Sequence, residues 1–201
     1  MQVIGLTGGI ATGKSTVCAI LENAGAVIID ADRIARKLVK KNLPAYRQIV
    51  DTFGKSILLP GGEINRTALG DLIFNDPRKK QLLNKIVHPQ VGKETDRQLK
   101  RIEKNNPHAL VILDIPLLLE SGLHKNLSEV IVVYTPEHIQ INRLMQRDHI
   151  SQENALARIR SQMPIEEKKK LATIVIDNSG MLEDTRKQTL EIFQRLKEPP
   201  H

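Results

Sequence analysis

The chain has 201 residues, enough for one domain with a smaller inserted lobe and a substantial hydrophobic core. Thirty lysines and arginines against 23 aspartates and glutamates give a formal charge of +7, which favours anionic partners such as nucleotides, polyphosphates or nucleic acid. Aromatic residues make up only 2% of the chain and tryptophan is absent, so a base-stacking platform is hard to build and no nucleic-acid partner is expected.

The single cysteine, Cys18, excludes an intrachain disulfide and fits a reducing compartment. The six histidines show no metal-ligand spacing. The most apolar stretch, 109–119, is interrupted by Asp114 and Pro116 and is too short for a bilayer, so no membrane partner is expected. No basic leader precedes the first apolar run. Together these features read as a cytoplasmic protein without a cleaved signal.

In chain order, residues 3–6 read as a short buried strand. Residues 8–16, Gly-Gly-Ile-Ala-Thr-Gly-Lys-Ser-Thr, then fit the pattern G-x-x-x-x-G-K-[ST], and a helical stretch at 17–22 follows, closed by Gly25. Strand, glycine loop and helix in this order form the phosphate-binding loop of nucleoside triphosphatases and small-molecule kinases. Gly8 and Gly13 allow a turn that aims several N–H groups at one anion. Lys14 supplies a mobile charge for the β- and γ-phosphates, and the Ser15 hydroxyl is placed for Mg²⁺. Cys18, inside the helix, reads as a small packing residue.

A second strand at 26–29 runs directly into Asp30-Ala31-Asp32. Ligands of α/β sheets sit beyond the carboxyl ends of strands, so either carboxylate is a candidate for handling an acceptor hydroxyl; the alternative is that Asp30 caps a helix and Asp32 favours its dipole in the first turn. Asp30 reads as the N-cap and Asp32 as the functional group. Helical patterns follow at 34–39, 46–53, 67–74, 77–87 and 89–103, with His88-Pro89 ending one helix and starting another. A third strand at 110–113 ends in Asp114, which reads either as a carboxylate organising Mg²⁺ or as part of a strand-end turn with Pro116. A fourth strand lies at 130–133.

The charged helical stretch 137–171 suits a mobile lid. Arg143 and Arg147, four apart, share one helix face; with Arg158 and Arg160 they are candidates for neutralising phosphoryl charge, or else a solvated basic surface. Lys168-Lys169-Lys170 reads as solvated. A fifth strand at 174–176 leads to Asp177-Asn178-Ser179-Gly180, which either lines an adenine pocket or simply caps the last helix, where Leu182, Leu190, Phe193 and Leu196 share a face. The tail 198–201 is expected to fray. The continuous Val/Ile/Leu runs predict a doubly wound α/β fold with about five parallel strands. The core spans about 1–30, 107–136 and 172–201, the helical substrate lobe about 31–106 and the lid about 137–171.

These motifs, taken together, resemble the dephospho-CoA kinase family. The resemblance rests on Gly5-Leu6-Thr7-Gly8-Gly9-Ile10 with Gly13-Lys14-Ser15-Thr16, on Asp30-Ala31-Asp32 with Ala35-Arg36, and on Ile64-Asn65-Arg66 and Ile86-Val87-His88-Pro89. It continues through Asp114-Ile115-Pro116-Leu117-Leu118 with Glu120, Gln146-Arg147-Asp148, Arg158-Ile159 with Gln162, and Val175 to Gly180. It implies a P-loop kinase that uses ATP and Mg²⁺ to phosphorylate the 3′-hydroxyl of dephospho-CoA. It further implies that Ala11, Thr12, Gly13, Lys14, Ser15 and Thr16 hold the ATP phosphates, that Asp32 is the base, that Arg147 helps bind phosphate, that the Asn178 loop lies near adenine, and that the 40–106 lobe receives the pantetheine-bearing acceptor. Arg143 is a further candidate for the nucleotide, and Asp32, His88 and Asp114 are candidates for the acceptor, although a lone histidine such as His88 is more often structural. Ala11-Thr12 stands where the family often has Gly-Ser. The rival readings are a kinase of the same fold acting on another nucleotide or small alcohol, and a GTP-driven switch. The switch lacks a guanine-reading Asn-Lys-x-Asp, since Asn84-Lys85-Ile86-Val87 has no aspartate.

Overall fold

The computed structural model describes residues 1–74 and 76–197; the tail 198–201 lies outside the described residues. Five strands form one sheet in the order β2-β3-β1-β4-β5: β1 (Gln2–Gly8), β2 (Val27–Asp30), β3 (Leu110–Asp114), β4 (Val130–Tyr134) and β5 (Ile174–Asp177). β1 pairs in parallel with both β3 and β4, and β4 with β5, so the strand that feeds the glycine loop is central.

The runs of Val, Ile and Leu are continuous because both faces of the sheet are covered. In β4, Ile131 and Val133 join a core containing Ile4, Leu6, Val17, Leu21, Phe193 and Leu196. Val130 and Val132 point the other way, into a cluster with Leu118, Leu119 and Ile165. The first cluster includes residues of α1 (Lys14–Asn23) and α9 (Leu182–Lys197). The stretch expected to form a lid holds α6 (Glu137–Asp148), α7 (Gln152–Arg160) and α8 (Ile165–Lys170).

On α9 the buried face is Thr185, Thr189, Phe193 and Leu196, and Leu182 is 63% exposed, which corrects the apolar face expected from the sequence. The two threonines tolerate burial because their hydroxyls are satisfied locally: Thr185 Oγ1 donates to Asn178 Oδ1 and Thr189 Oγ1 to the Thr185 carbonyl, each at 2.7 Å.

The chain divides into two compact units, residues 1–29 with 105–201, and residues 30–104. The second holds α2 (Ala31–Leu38), α3 (Pro44–Phe53), α4 (Arg66–Phe74) and most of α5 (Pro77–Asn105). Its core is Ile49, Ile57 and Leu69, with Leu83, Ile86 and Val87 packed against them. His88-Pro89 does not break the helix as expected: α5 is one helix of 29 residues with Pro89 inside it. The proline removes one backbone bond. The turn before it is held by the packing of Ile86 and Val87, and Gln90 Nε2 ties the turn to the Ile86 carbonyl (3.3 Å) and to Gln48 of α3 (3.2 Å). Among the described residues no helix is long and apolar enough to cross a membrane.

Candidate functional site

The site is built on residues 8–16. Gly13 lies in the left-handed region at φ 87°, directly before α1, and a Cβ there would overlap Asn178 Nδ2. Ala11 is also left-handed, at φ 60°, without being glycine. That conformation costs an alanine about 1 kcal/mol, so the surroundings must hold it.

They do so through the loop's carbonyl groups. The Thr12 carbonyl accepts from Asn178 Nδ2 (2.7 Å) and Thr135 Oγ1 (3.2 Å). Gln140 Nε2 donates to the Ile10 carbonyl (2.7 Å), and Ile10 N donates to Gln162 Oε1 (3.1 Å). Thr12 Oγ1 closes the loop on the Gly9 carbonyl at 2.9 Å. Anchors therefore come from the ends of β4 and β5, from α6 and from the segment after α7. No side chain caps α1 and no acidic residue lies in its first turn, so its N–H groups and positive dipole end are left for an anion.

Lys14 ion-pairs with Asp114 at the end of β3; their side chains are 19% and 11% exposed. Cys18, one turn on from Lys14, is half-buried and donates from Sγ to Asp114 Oδ2 at 3.3 Å, so it is more than packing. Both Asp114 oxygens are thus engaged. Asp114 holds the loop lysine, a contact that neither of the two readings of this residue anticipated.

A cleft of about 590 Å³ opens over the loop. It is lined by residues 8–11 and 13–16 together with Pro116, Arg143, Arg147, Gln162, Asn178, Gly180 and Leu182. Arg143 and Arg147 share a face of α6, as their spacing requires. Arg143 donates to the Asn178 carbonyl (2.9 Å) and to Thr135 Oγ1 (3.4 Å). Arg147 grips Asp148 with two bonds of 2.7 and 3.2 Å, and Arg158 reaches the same carboxylate at 2.7 Å. Hydrogen bonding from Arg147 holds the Asp148 carboxyl below the usual carboxylate range, and the same bond raises the Arg147 guanidinium above its own. Arg160 is exposed on α7.

The remaining expected residues divide clearly. Asp30 caps α2, its Oδ1 accepting from Arg33 N at 2.8 Å. Asp32 is exposed in the first turn of α2, and His88 is exposed on α5; both belong to the second unit. The Asn178 side chain is spent on Thr12 and Thr185, so it braces the loop, while Gly180 and Leu182 complete that wall of the cleft.

Sequence reasoning had no signal for Gln140, 1% exposed on a charged helix, or for the contribution of Leu182. It also misplaced the lysine run. Lys168 is fully buried and pairs with Glu120 at 2.8 Å, whereas Lys169 lies over the Tyr134 ring and Lys170 pairs with Glu167. A run of like residues on a helix of six still turns one of its members inward.

Among the described residues no group of three or more His, Cys, Asp or Glu side chains is arranged to hold a metal ion. The exposed Ser15 hydroxyl in the cleft, with few carboxylates nearby, suits Mg²⁺ that arrives on nucleotide phosphates and keeps several waters.

A glycine loop between a central parallel strand and a helix, with a lysine at its start and arginines across the cleft, defines a P-loop kinase. The fold agrees: a shikimate kinase from Acinetobacter baumannii superposes with a TM-score of 0.54 at 18% identity, over 98% of this chain and 93% of that one. More specifically, the dephospho-CoA kinase family model matches residues 2–184, and the chain belongs to that family. Dephospho-CoA kinase of Carboxydothermus hydrogenoformans is 50% identical over 98% of this chain and 95% of its own length; that of Enterococcus faecalis is 50% identical over 93% of each. Among solved structures, dephospho-CoA kinase from Campylobacter jejuni has a TM-score of 0.73 at 35% identity, covering 98% of both chains.

Proposed function

We propose that this chain transfers the γ-phosphoryl group of ATP to the 3′-hydroxyl of dephospho-CoA, giving coenzyme A and ADP in the cytoplasm. Membership of the family carries the acceptor; the anion-binding loop with Lys14 and the α6 arginines around one cleft supports the chemistry. In the transfer, a bond forms between the acceptor oxygen and the γ-phosphorus while the bond to the β,γ-bridging oxygen breaks. The hydroxyl proton leaves and ADP carries away the developing charge.

The N–H groups of the loop and α1 bind the phosphates, and Lys14 follows the β- and γ-phosphates as charge spreads. Arg143, already fixed by Asn178 and Thr135, keeps one cation at the rim; Arg147 adds a second when it exchanges Asp148 for phosphate. Asp32, beyond the carboxyl end of β2, orients the acceptor hydroxyl and takes its proton. His88, with the rest of 31–106, forms the acceptor lobe. Ser15, with Asp114 as the nearby carboxylate, would hold Mg²⁺, and the ion would supply neutralisation of phosphate charge.

The test is direct. Incubation with Mg-ATP and dephospho-CoA should add one phosphate to the acceptor by mass spectrometry, with stoichiometric ADP. ATP consumption that leaves dephospho-CoA unchanged but phosphorylates another alcohol would move this site to a different acceptor.

A further inference from the structure

Lys168 is the largest fully buried side chain of the described residues and has no part in the mechanism above. Its Nζ lies 2.8 Å from Glu120 Oε1, 3.2 Å from the Gly8 carbonyl and 3.3 Å from the Pro116 carbonyl. An ammonium has three N–H donors, and here each has its acceptor. Burying a cation is costly unless it is paired and hydrogen-bonded in this way.

The choice of acceptors matters more than their number. Gly8 ends β1 and opens the phosphate loop, and Pro116 follows β3; both line the cleft. A peptide unit is planar, so a bond that fixes the Gly8 carbonyl also fixes the direction in which the loop leaves β1. The Pro116 carbonyl also accepts from Thr7 Oγ1 at 2.9 Å, which joins the two strand ends. Glu120 Oε1 accepts from Met163 N at 3.2 Å, next to Gln162, which holds Ile10 N. One buried cation thus ties α8 to both backbones that floor the cleft.

We propose that Lys168 is a positioning residue for nucleotide phosphates: through Gly8 and Pro116 it sets the phosphate loop without touching the nucleotide. This rests on reading the cleft as an ATP site. If Lys168 were only a core strut, its loss would lower stability and leave the affinity of the folded protein for ATP unchanged.

The experiment compares Lys168→Met, which keeps the stem and removes the charge, with Leu196→Ala, a core truncation on α9. Each full-length protein is titrated with ATP by calorimetry at a temperature where it is folded, and its thermal midpoint is recorded. Both variants should melt earlier. Lys168→Met should bind ATP about tenfold more weakly, and Leu196→Ala within about twofold of the parent. Unchanged ATP affinity in folded Lys168→Met overturns the proposal, as does an equal loss in Leu196→Ala. Should Lys168→Met not fold, Glu120→Gln carries the test, because it keeps an acceptor oxygen but removes the counter-charge. Here ATP affinity should fall by about threefold, and no change overturns the proposal. Failure of the wild type to phosphorylate dephospho-CoA would remove the proposed acceptor and leave this inference standing; unchanged affinity would do the reverse.

Discussion

The cleft has two sets of cations, and they are held in opposite ways. At its floor, Lys14 and Lys168 are mostly or wholly buried, each paired with a carboxylate from the β3 side, Asp114 and Glu120. At its rim, Arg147, with a side chain 61% exposed, shares the single carboxylate of Asp148 with Arg158 of α7, which is 53% exposed and outside the cleft lining. Buried pairs fix geometry, because losing either partner strands a charge; exposed pairs are worth little and exchange easily. The floor is therefore the fixed part of the cleft and the rim the exchangeable part; under the proposed function the floor would place phosphate and the rim would trade Asp148 for it.

The largest effect should come from the floor. Lys14→Met should cut turnover on the order of 10³-fold. It should also lower the thermal midpoint by several degrees, because Asp114 is left buried without its cation and about 1–3 kcal/mol is lost. The double variant Lys14→Met/Asp114→Asn should recover most of the midpoint and none of the turnover. A single variant that keeps the parent midpoint would show that the floor pair is not held as described.

The carboxylates after β2 divide by position: Asp30 caps α2, and Asp32 is exposed in its first turn. Asp32→Asn should lose roughly 10²-fold in rate with ATP binding kept, at the low end for a general base because the transition state is loose. Asp30→Asn should keep most activity and stability, since asparagine caps nearly as well. A rate loss in Asp30→Asn at an unchanged midpoint, with Asp32→Asn active, would reverse the two assignments.

At the rim the effects shrink. Arg147→Ala should raise the ATP requirement and lower turnover by about tenfold with no change in midpoint, and the deficit should narrow at high salt, where the wild-type contact is screened. Amide exchange sharpens the contrast further. On adding ATP, protection should rise in α6 and α7, which carry the arginines that share Asp148, and change least in α8, which Lys168 already anchors.

The smallest effect concerns pH. The folded Asp148 carboxyl titrates below its usual range, held there first by the Arg147 hydrogen bond. Its stabilisation is complete above the unfolded value and is lost only as pH falls through the depressed one. The midpoint difference between wild type and Asp148→Asn should therefore be flat from about pH 5 to pH 9. A slope within that window would mean that the rim pair is coupled to another titrating group.

What the sequence made legible follows from the range of the forces involved. The loop is local: strand, glycines, lysine and helix lie within 23 residues, and each sets backbone geometry where it stands. The five strands announce themselves because continuous Val, Ile and Leu runs have one economical use. Lys168 was illegible because its partners lie 48 and 160 residues away, and nothing in a lysine run tells which member turns inward. The face of α9 was misread because Thr185 and Thr189 are polar by composition yet satisfied by neighbours. Pro89 was misread because a single lost backbone bond weighs less than the packing of Ile86 and Val87 on Ile49 and its neighbours.

The contact between Gly13 and Asn178 has a consequence for how such a chain tolerates change. A methyl group at 13 would occupy the space of the Asn178 amide, and that amide is what holds the Thr12 carbonyl. A smaller side chain at 178 would make room but would not relieve the backbone, because φ at 13 is 87° and favours glycine whatever the neighbour. In a library randomised at both and selected for activity, survivors should all keep glycine at 13, and whatever replaces Asn178 should still donate to the Thr12 carbonyl, although 164 residues of chain lie between the two positions.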